Sequence, residues 1–129
     1  MGRWPNAQQI VLEWLRSRGV LPTAGLLTEE PANGDPPLPR VVIEVPAQSS
    51  DGLNREVDIE LTAVASSLDA LRSLTSDLTS AMWALAGSGT AAGYVDEVRE
   101  EFGFGDEPSP NRGVRRAIAT FSVVVRPSA

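Results

Sequence analysis

The stretch Arg115-Arg116-Ala117-Ile118-Ala119-Thr120-Phe121-Ser122-Val123-Val124-Val125-Arg126-Pro127 decides the fold. Its β-branched and aromatic residues favour a pleated, extended backbone, and Pro127, which cannot donate to a ladder, closes it. A strand over Arg115–Arg126 needs a partner, and the sequence before it supplies one of opposite charge. Residues 96–107 hold six acidic residues and one Arg, whereas residues 112–126 hold four Arg and no acid. Opposite charges on neighbouring antiparallel strands stabilise by about 0.2–1 kcal/mol per pair, so these segments are expected to pair. Residues 94–104 fit two periods at once. Val95, Val98 and Phe102 are spaced as on a helix, while Tyr94, Val98, Phe102 and Phe104 share strand parity. Gly103 and Gly105 make a poor helix end, so the segment reads as a bent or bulged strand.

Further toward the start, Pro39-Arg40-Val41-Val42-Ile43-Glu44-Val45-Pro46 is a β-branched run between prolines and reads as a strand. Gln48-Ser49-Ser50-Asp51-Gly52 is turn chemistry. The next strand, Arg55–Val64, alternates, with Val57, Ile59, Leu61 and Ala63 facing one way and Asp58, Glu60 and Thr62 the other. The two predict an antiparallel hairpin. A first helix spans Pro5–Arg18, with Ala7, Ile10, Val11, Trp14 and Leu15 on one stripe, proline at its first position and Gly19 as its stop. A second spans Leu68–Ala86, capped by Ser66 or Ser67, with Asp69 in its first turn. Its stripe is Leu68, Leu71, Leu78, Met82 and Leu85, with Thr75 in the remaining slot. Residues 20–38, broken by five prolines and glycines up to Pro36 and then by Pro37, leave room only for a short strand near Leu26–Thr28. Gly87-Ser88-Gly89-Thr90-Ala91-Ala92-Gly93 looks superficially like a phosphate loop. Its glycine spacing is wrong, it has no Lys and it follows a helix, so it reads as a helix-to-strand linker. The order is α-β-β-α-β-β. This is an α+β fold with an antiparallel or mixed sheet of about four to five strands and two helices packed on one face, in a single domain over residues 1–129.

Composition narrows the chemistry. The chain has 129 residues, eleven basic (all Arg), seventeen acidic, no His and no Cys, for a formal net charge of -6. Without Cys there are no disulfides, thiol nucleophiles or thiolate metal sites. Without His there is no Ser-His-Asp triad and no imidazole base. Carboxylates, Arg, hydroxyls and one Tyr remain, and no enzyme, catalytic residue, cofactor or metal site is expected. The longest apolar run, Ala81–Ala86, is far below the ~20 residues of a membrane span. No apolar stretch of a secretory signal follows Met1-Gly2-Arg3-Trp4. Neither a membrane nor a wrapped nucleic acid is an expected partner of this acidic chain.

Several residues still stand out. Asp58 and Glu60 share a strand face that Glu44 could approach, a set able to hold Mg²⁺ or to serve as an acid/base pair. Alternating acidic and apolar residues are also what any strand with one wet face shows, and no loop adds a ligand in register. Glu97, Glu100 and Glu101 lie in the acidic segment around Arg99, which lacks EF-hand spacing and reads as a solvated or partner-facing surface. Arg112, Arg115 and Arg116 could contact phosphate; opposing the acidic segment, within or between subunits, is the simpler role. Trp83 lies roughly 130° from its helix stripe at ~100° per residue. With Trp4 it suits an interface, where aromatics and Arg are enriched, unless a loop covers it.

Four recurring segments carry a family likeness. They are the opening helix Ala7-Gln8-Gln9-Ile10-Val11-Leu12-Glu13-Trp14-Leu15, then Leu38-Pro39-Arg40-Val41-Val42-Ile43-Glu44, then Val57-Asp58-Ile59-Glu60-Leu61 leading into a long Leu/Ala helix, and the closing strand Arg116–Pro127. In this order, over nearly the whole chain, they resemble the tail terminator family of long-tailed, siphovirus-like bacteriophages. The resemblance implies a small, non-enzymatic virion protein that forms a hexameric ring. Such a ring caps the tail tube, stops its polymerisation and joins it to the head-side connector. It implies as partners further copies of the chain, the major tail tube protein and a head–tail connector or stopper protein, with DNA passing through the lumen without specific binding. It implies a place in the virion at the head–tail junction, after assembly in the host cytoplasm. On this reading Arg99, Arg112, Arg115, Arg116, Glu97, Glu100, Glu101 and Trp83 are candidates for the ring interface, and Asp58 and Glu60 for the lumen. Segments 29–39 and 46–54 would be arms that order against a neighbour. Two other readings stay open: another head–tail connector or tail-completion subunit, and a small carboxylate-dependent metal-binding domain or enzyme using Glu44, Asp58 and Glu60.

Overall fold

The computed structural model describes residues 4–29, 38–50, 54–107 and 113–127; the expected Asp51-Gly52 turn, Arg112, residues 30–37 of the first expected arm and 51–53 of the second lie outside them, while residues 47–50 of the second are strand paired within the chain. In chain order the elements are α1 (Ala7–Arg18), a 3-10 turn (Thr23–Gly25), β1 (Leu26–Leu27), β2 (Arg40–Ser50), β3 (Arg55–Ala65), α2 (Leu68–Leu85), β4 (Ser88–Thr90), β5 (Gly93–Glu107) and β6 (Arg115–Val125). The strands form one sheet in the order β1-β2-β3-β6-β5-β4. All neighbours are antiparallel except the parallel pair β1–β2.

The α+β class stands, with six strands in place of four to five. One addition is β1, the short strand expected near Leu26–Thr28. The other is β4, inside the segment read as a linker. Gly87 takes φ 75° and its N–H bonds the Val95 carbonyl at 2.9 Å, so the chain folds straight back into a hairpin of Ser88–Thr90 on Gly93–Val95. A glycine-rich strand of three residues has no period to detect. β5 is the bulged strand its mixed period suggested. Its register with β6 slips between Val95 and Glu97, between Glu100 and Phe102, and between Phe102 and Gly105. The first slip lets Val95 and Val98, three residues apart, both turn into the core.

One core lies between the sheet and the two helices. Val57, Ile59 and Leu61 of β3 and Ala119, Phe121 and Val123 of β6 meet Ile10, Val11 and Leu15 of α1 and Leu71, Leu78 and Met82 of α2. The α2 stripe is wider than expected, since Leu74 and Ala81 are buried as well. Asn6 caps α1 by accepting from the Gln9 N–H at 3.1 Å, which places Pro5 before the cap and not at the first helical position. Gly19, at φ 64°, ends α1 in the left-handed region. Ser67 caps α2 from the Ala70 N–H at 3.1 Å. The helices run antiparallel and are tied by the Trp14 indole N–H, which donates to the Ala81 carbonyl at 2.7 Å. Replacing Trp14 by Phe keeps most of the ring and loses this bond, so urea unfolding is expected to show a loss of about 1 kcal/mol.

Candidate interaction surfaces

The register of the sheet lines up its side chains on the face turned away from the helices. The first row, near the start of α2, is Arg40, Val64, Arg116 and Glu107. The next is Val42, Thr62, Ile118 and Gly105, and the third is Glu44, Glu60, Thr120 and Phe102. Asp58, Ser122 and Arg99 follow, then Glu56, Val124 and Glu97. Along the strands the face therefore changes from arginine, across buried Val42, Thr62 and Val64, to carboxylate.

Asp58 and Glu60, the expected lumen residues, do share this face with Glu44. Glu44 and Glu60 are direct cross-strand partners. Like charges placed opposite each other are destabilising. Glu60→Lys is expected to raise stability by about 0.5 kcal/mol in chemical denaturation; a loss would mean that Glu60 has a structural role. Among the described residues no three acidic groups could hold a metal ion, which leaves the Glu44, Asp58, Glu60 set without the geometry a metal site needs.

Arg99, a candidate for the ring interface, is half-exposed and pairs with two carboxylates of its own chain. Its Nε lies 2.9 Å from Glu97 Oε1 and its Nη1 3.9 Å from Glu56 Oε1. The hydrogen bond from Arg99, and then its charge, hold the Glu97 carboxyl below the ordinary carboxylate range. Glu56 also accepts from the Ser122 hydroxyl at 2.8 Å, so it joins β3, β5 and β6. Its parity with Asp58 and Glu60 was visible in the sequence; its partners were not. The acidic and arginine-bearing strands do pair, yet their charges mostly miss each other. Glu97 stands opposite Val124 and Glu100 opposite Phe121, leaving Glu107 in register with Arg116 and an ion pair of 2.6 Å between Arg126 and Asp96.

The other candidates fall into separate places. Arg115 and Arg116 begin β6 at the end of the molecule where Arg40 begins β2 and α1 finishes with Arg16 and Arg18. Arg72, in the first turns of α2, lies at the same end, where Val20, Pro39, Ala65 and Leu74 converge. Among the described residues, Asp69, Asp106 and Glu107 are the acids near that end, fewer than its arginines Arg16, Arg18, Arg40, Arg72, Arg115 and Arg116, so its described surface is basic. Trp83 is half-exposed near the opposite end of α2 and is not covered by any described loop. Close to that end, an open groove of about 620 Å³ is lined by Pro5, Thr90, Tyr94, Arg126 and Pro127. Trp4, also at that end, is half-buried under the Arg55 guanidinium, 4.5 Å from its ring. Among the described residues no helix is long and apolar enough to cross a membrane.

No protein-family model matches the chain, and no curated protein does. Among solved structures, a chain from the virion of a native gene transfer agent particle is similar over 93% of this chain and 94% of its own, with a TM-score of 0.66 and 14% sequence identity. At that identity the likeness is one of fold.

Proposed function

We propose that this chain is a virion structural protein, the subunit of a ring that caps a phage-type tail tube, stops its growth and joins it to the head-side connector. The observation that carries this reading is the end-to-end agreement of fold with a chain of a gene transfer agent virion. The charge layout supports it. A closed ring of identical subunits needs two different patches that meet, and the basic end with Arg115 and Arg116 is the candidate for one of them. The carboxylate rows of the sheet, with Glu44, Asp58 and Glu60, suit a lumen that repels the phosphates of passing DNA. The role is geometric, without catalysis or cofactor, and its setting is the virion at the head–tail junction.

Negative-stain images and particle sizing of the purified protein, alone and mixed with tail tube protein, test the reading. The expected result is a six-fold ring, or tubes of arrested length bearing a ring at one end. Particles that bind a connector but never a tube would assign the chain to a neighbouring connector or completion role. The lumen has its own test: Asp58→Arg with Glu60→Arg is expected to leave rings intact while DNA ejection falls severely. Unchanged infectivity would remove these residues from the lumen. Reversal of Arg115 and Arg116 to Glu is expected to shift the particles toward monomer.

A further inference from the structure

Among the described residues, β5 is paired fully along only one of its edges. β6 holds it from Val95 to Glu107, whereas β4 reaches only from Gly93 to Val95 on the other side. From Asp96 to Glu107 the outward N–H and C=O groups stand at the rim of the sheet. Every residue from Arg99 to Phe102, and every residue from Gly105 to Glu107, is exposed. An open edge of this length is a template for a further strand.

Two features define what would add there. Phe102 is 73% exposed, the most exposed of the large apolar side chains among the described residues, and an added strand would give it an apolar neighbour. The second feature is charge. Asp96 and Glu97 are already engaged by Arg126 and Arg99, but Glu100, Glu101, Asp106 and Glu107 have no salt bridge among the described residues. Among the described residues, no strand edge of a second copy supplies the complement. Its own β5 would set acid against acid. The part of β2 beyond β1 carries Glu44 and Pro46, which lacks a donor, and β4 is three uncharged residues.

We infer that the outer edge of β5 is a strand-addition site for an extended, arginine- or lysine-bearing segment of a different protein, with an apolar side chain of that segment against Phe102. The edge itself stands independently of the ring; seeking the partner among virion proteins rests on the function proposed above.

The first test titrates the full chain with an alternating Arg-Val dodecapeptide and reads amide hydrogen exchange residue by residue. Protection is expected to rise at least about tenfold at alternate amides between Arg99 and Glu107, with none along β2 or β4 and none from a Glu-Val dodecapeptide. Phe102→Ser is expected to weaken this protection severalfold while leaving thermal unfolding unchanged, since Phe102 lies on the surface. Protection that is absent from β5, or appears instead on β2 or β4, overturns the inference. For the natural partner, the chain's lack of Cys makes Glu101→Cys a unique thiol for a photo-crosslinker in assembled particles. An adduct with a basic strand of another protein supports the site; an adduct with a second copy, or none, overturns it. Rings whose β5 amides stay unprotected would sink this inference and leave the virion reading standing. Protection of the β5 amides by the Arg-Val peptide in a protein that forms no ring and is found in no particle would do the reverse.

Discussion

Phe121→Ala is expected to remove about 3–5 kcal/mol of folding stability, read as a fall in the urea midpoint at an unchanged slope. Phe121 is fully buried at the centre of β6, between Ile59 on β3 and Glu100 on β5. It also meets the edge of Phe104, with ring centroids 6.4 Å apart at 63°. Truncation loses the transfer energy of the ring and leaves a cavity where two helices and three strands converge, so no single neighbour can relax to fill it. Against a total stability of ~5–15 kcal/mol, this is enough to leave part of the population unfolded. Phe121→Leu retains much of the volume and should cost far less. A loss below about 1 kcal/mol for the alanine variant would show that Phe121 is not at the centre of the core.

The second large effect comes from adding a single methyl group. A Cβ at Gly25 would lie 2.4 Å from the Pro39 carbonyl oxygen and 3.0 Å from Leu21 Cδ1. The first of these is backbone and cannot rotate away, so Gly25→Ala must push the 3-10 turn and β1 off β2. Overpacking of this kind costs about 1–3 kcal/mol. The damage should be local: exchange of the amides around Val41 and Val42, which β1 covers through Leu26 and Leu27, is expected to speed up more than exchange in β6. Unaltered exchange at β2 would mean that the close approach of Gly25 to Pro39 is not needed.

Local periods carried most of the fold. The alternation Val57, Ile59, Leu61, Ala63 placed β3 to within a residue of its end, and the β-branched run of β6 did the same. Gly19 marked the end of α1 because a left-handed residue there is favoured as glycine. What the sequence hid depends on contacts between distant segments. β4 exists only because Gly87 turns the chain back onto Val95. The charges of β5 and β6 mostly miss one another because residues 117–125 carry none, so only the two ends of β6 can meet an acid; the three register slips of β5 leave no mark in residue type. The candidate surfaces were legible in the same measure. The wet face with Asp58 and Glu60 followed from parity, whereas the basic end is assembled from the finish of α1, the start of α2 and the ends of two strands. Arg99 shows the difference well: its partner Glu97 is two residues away, yet only the strand assignment reveals that the two lie on one face.

The place of β6 also bears on when the molecule comes into being. Residues 115–125 lie between β3 on one side and β5 on the other, although they follow both in the chain. During synthesis, α1 and the β2–β3 hairpin emerge as one half, and α2 with the β4–β5 hairpin as another. Nothing in the sheet joins the halves until β6 has left the ribosome. Such distant pairing slows folding to the ms–s range typical of non-local topologies. The rows of charge that cross from β2 to β5 are therefore absent from a nascent chain and appear all at once in a finished one, so an unfinished copy has no complete surface with which to join, and spoil, an assembly.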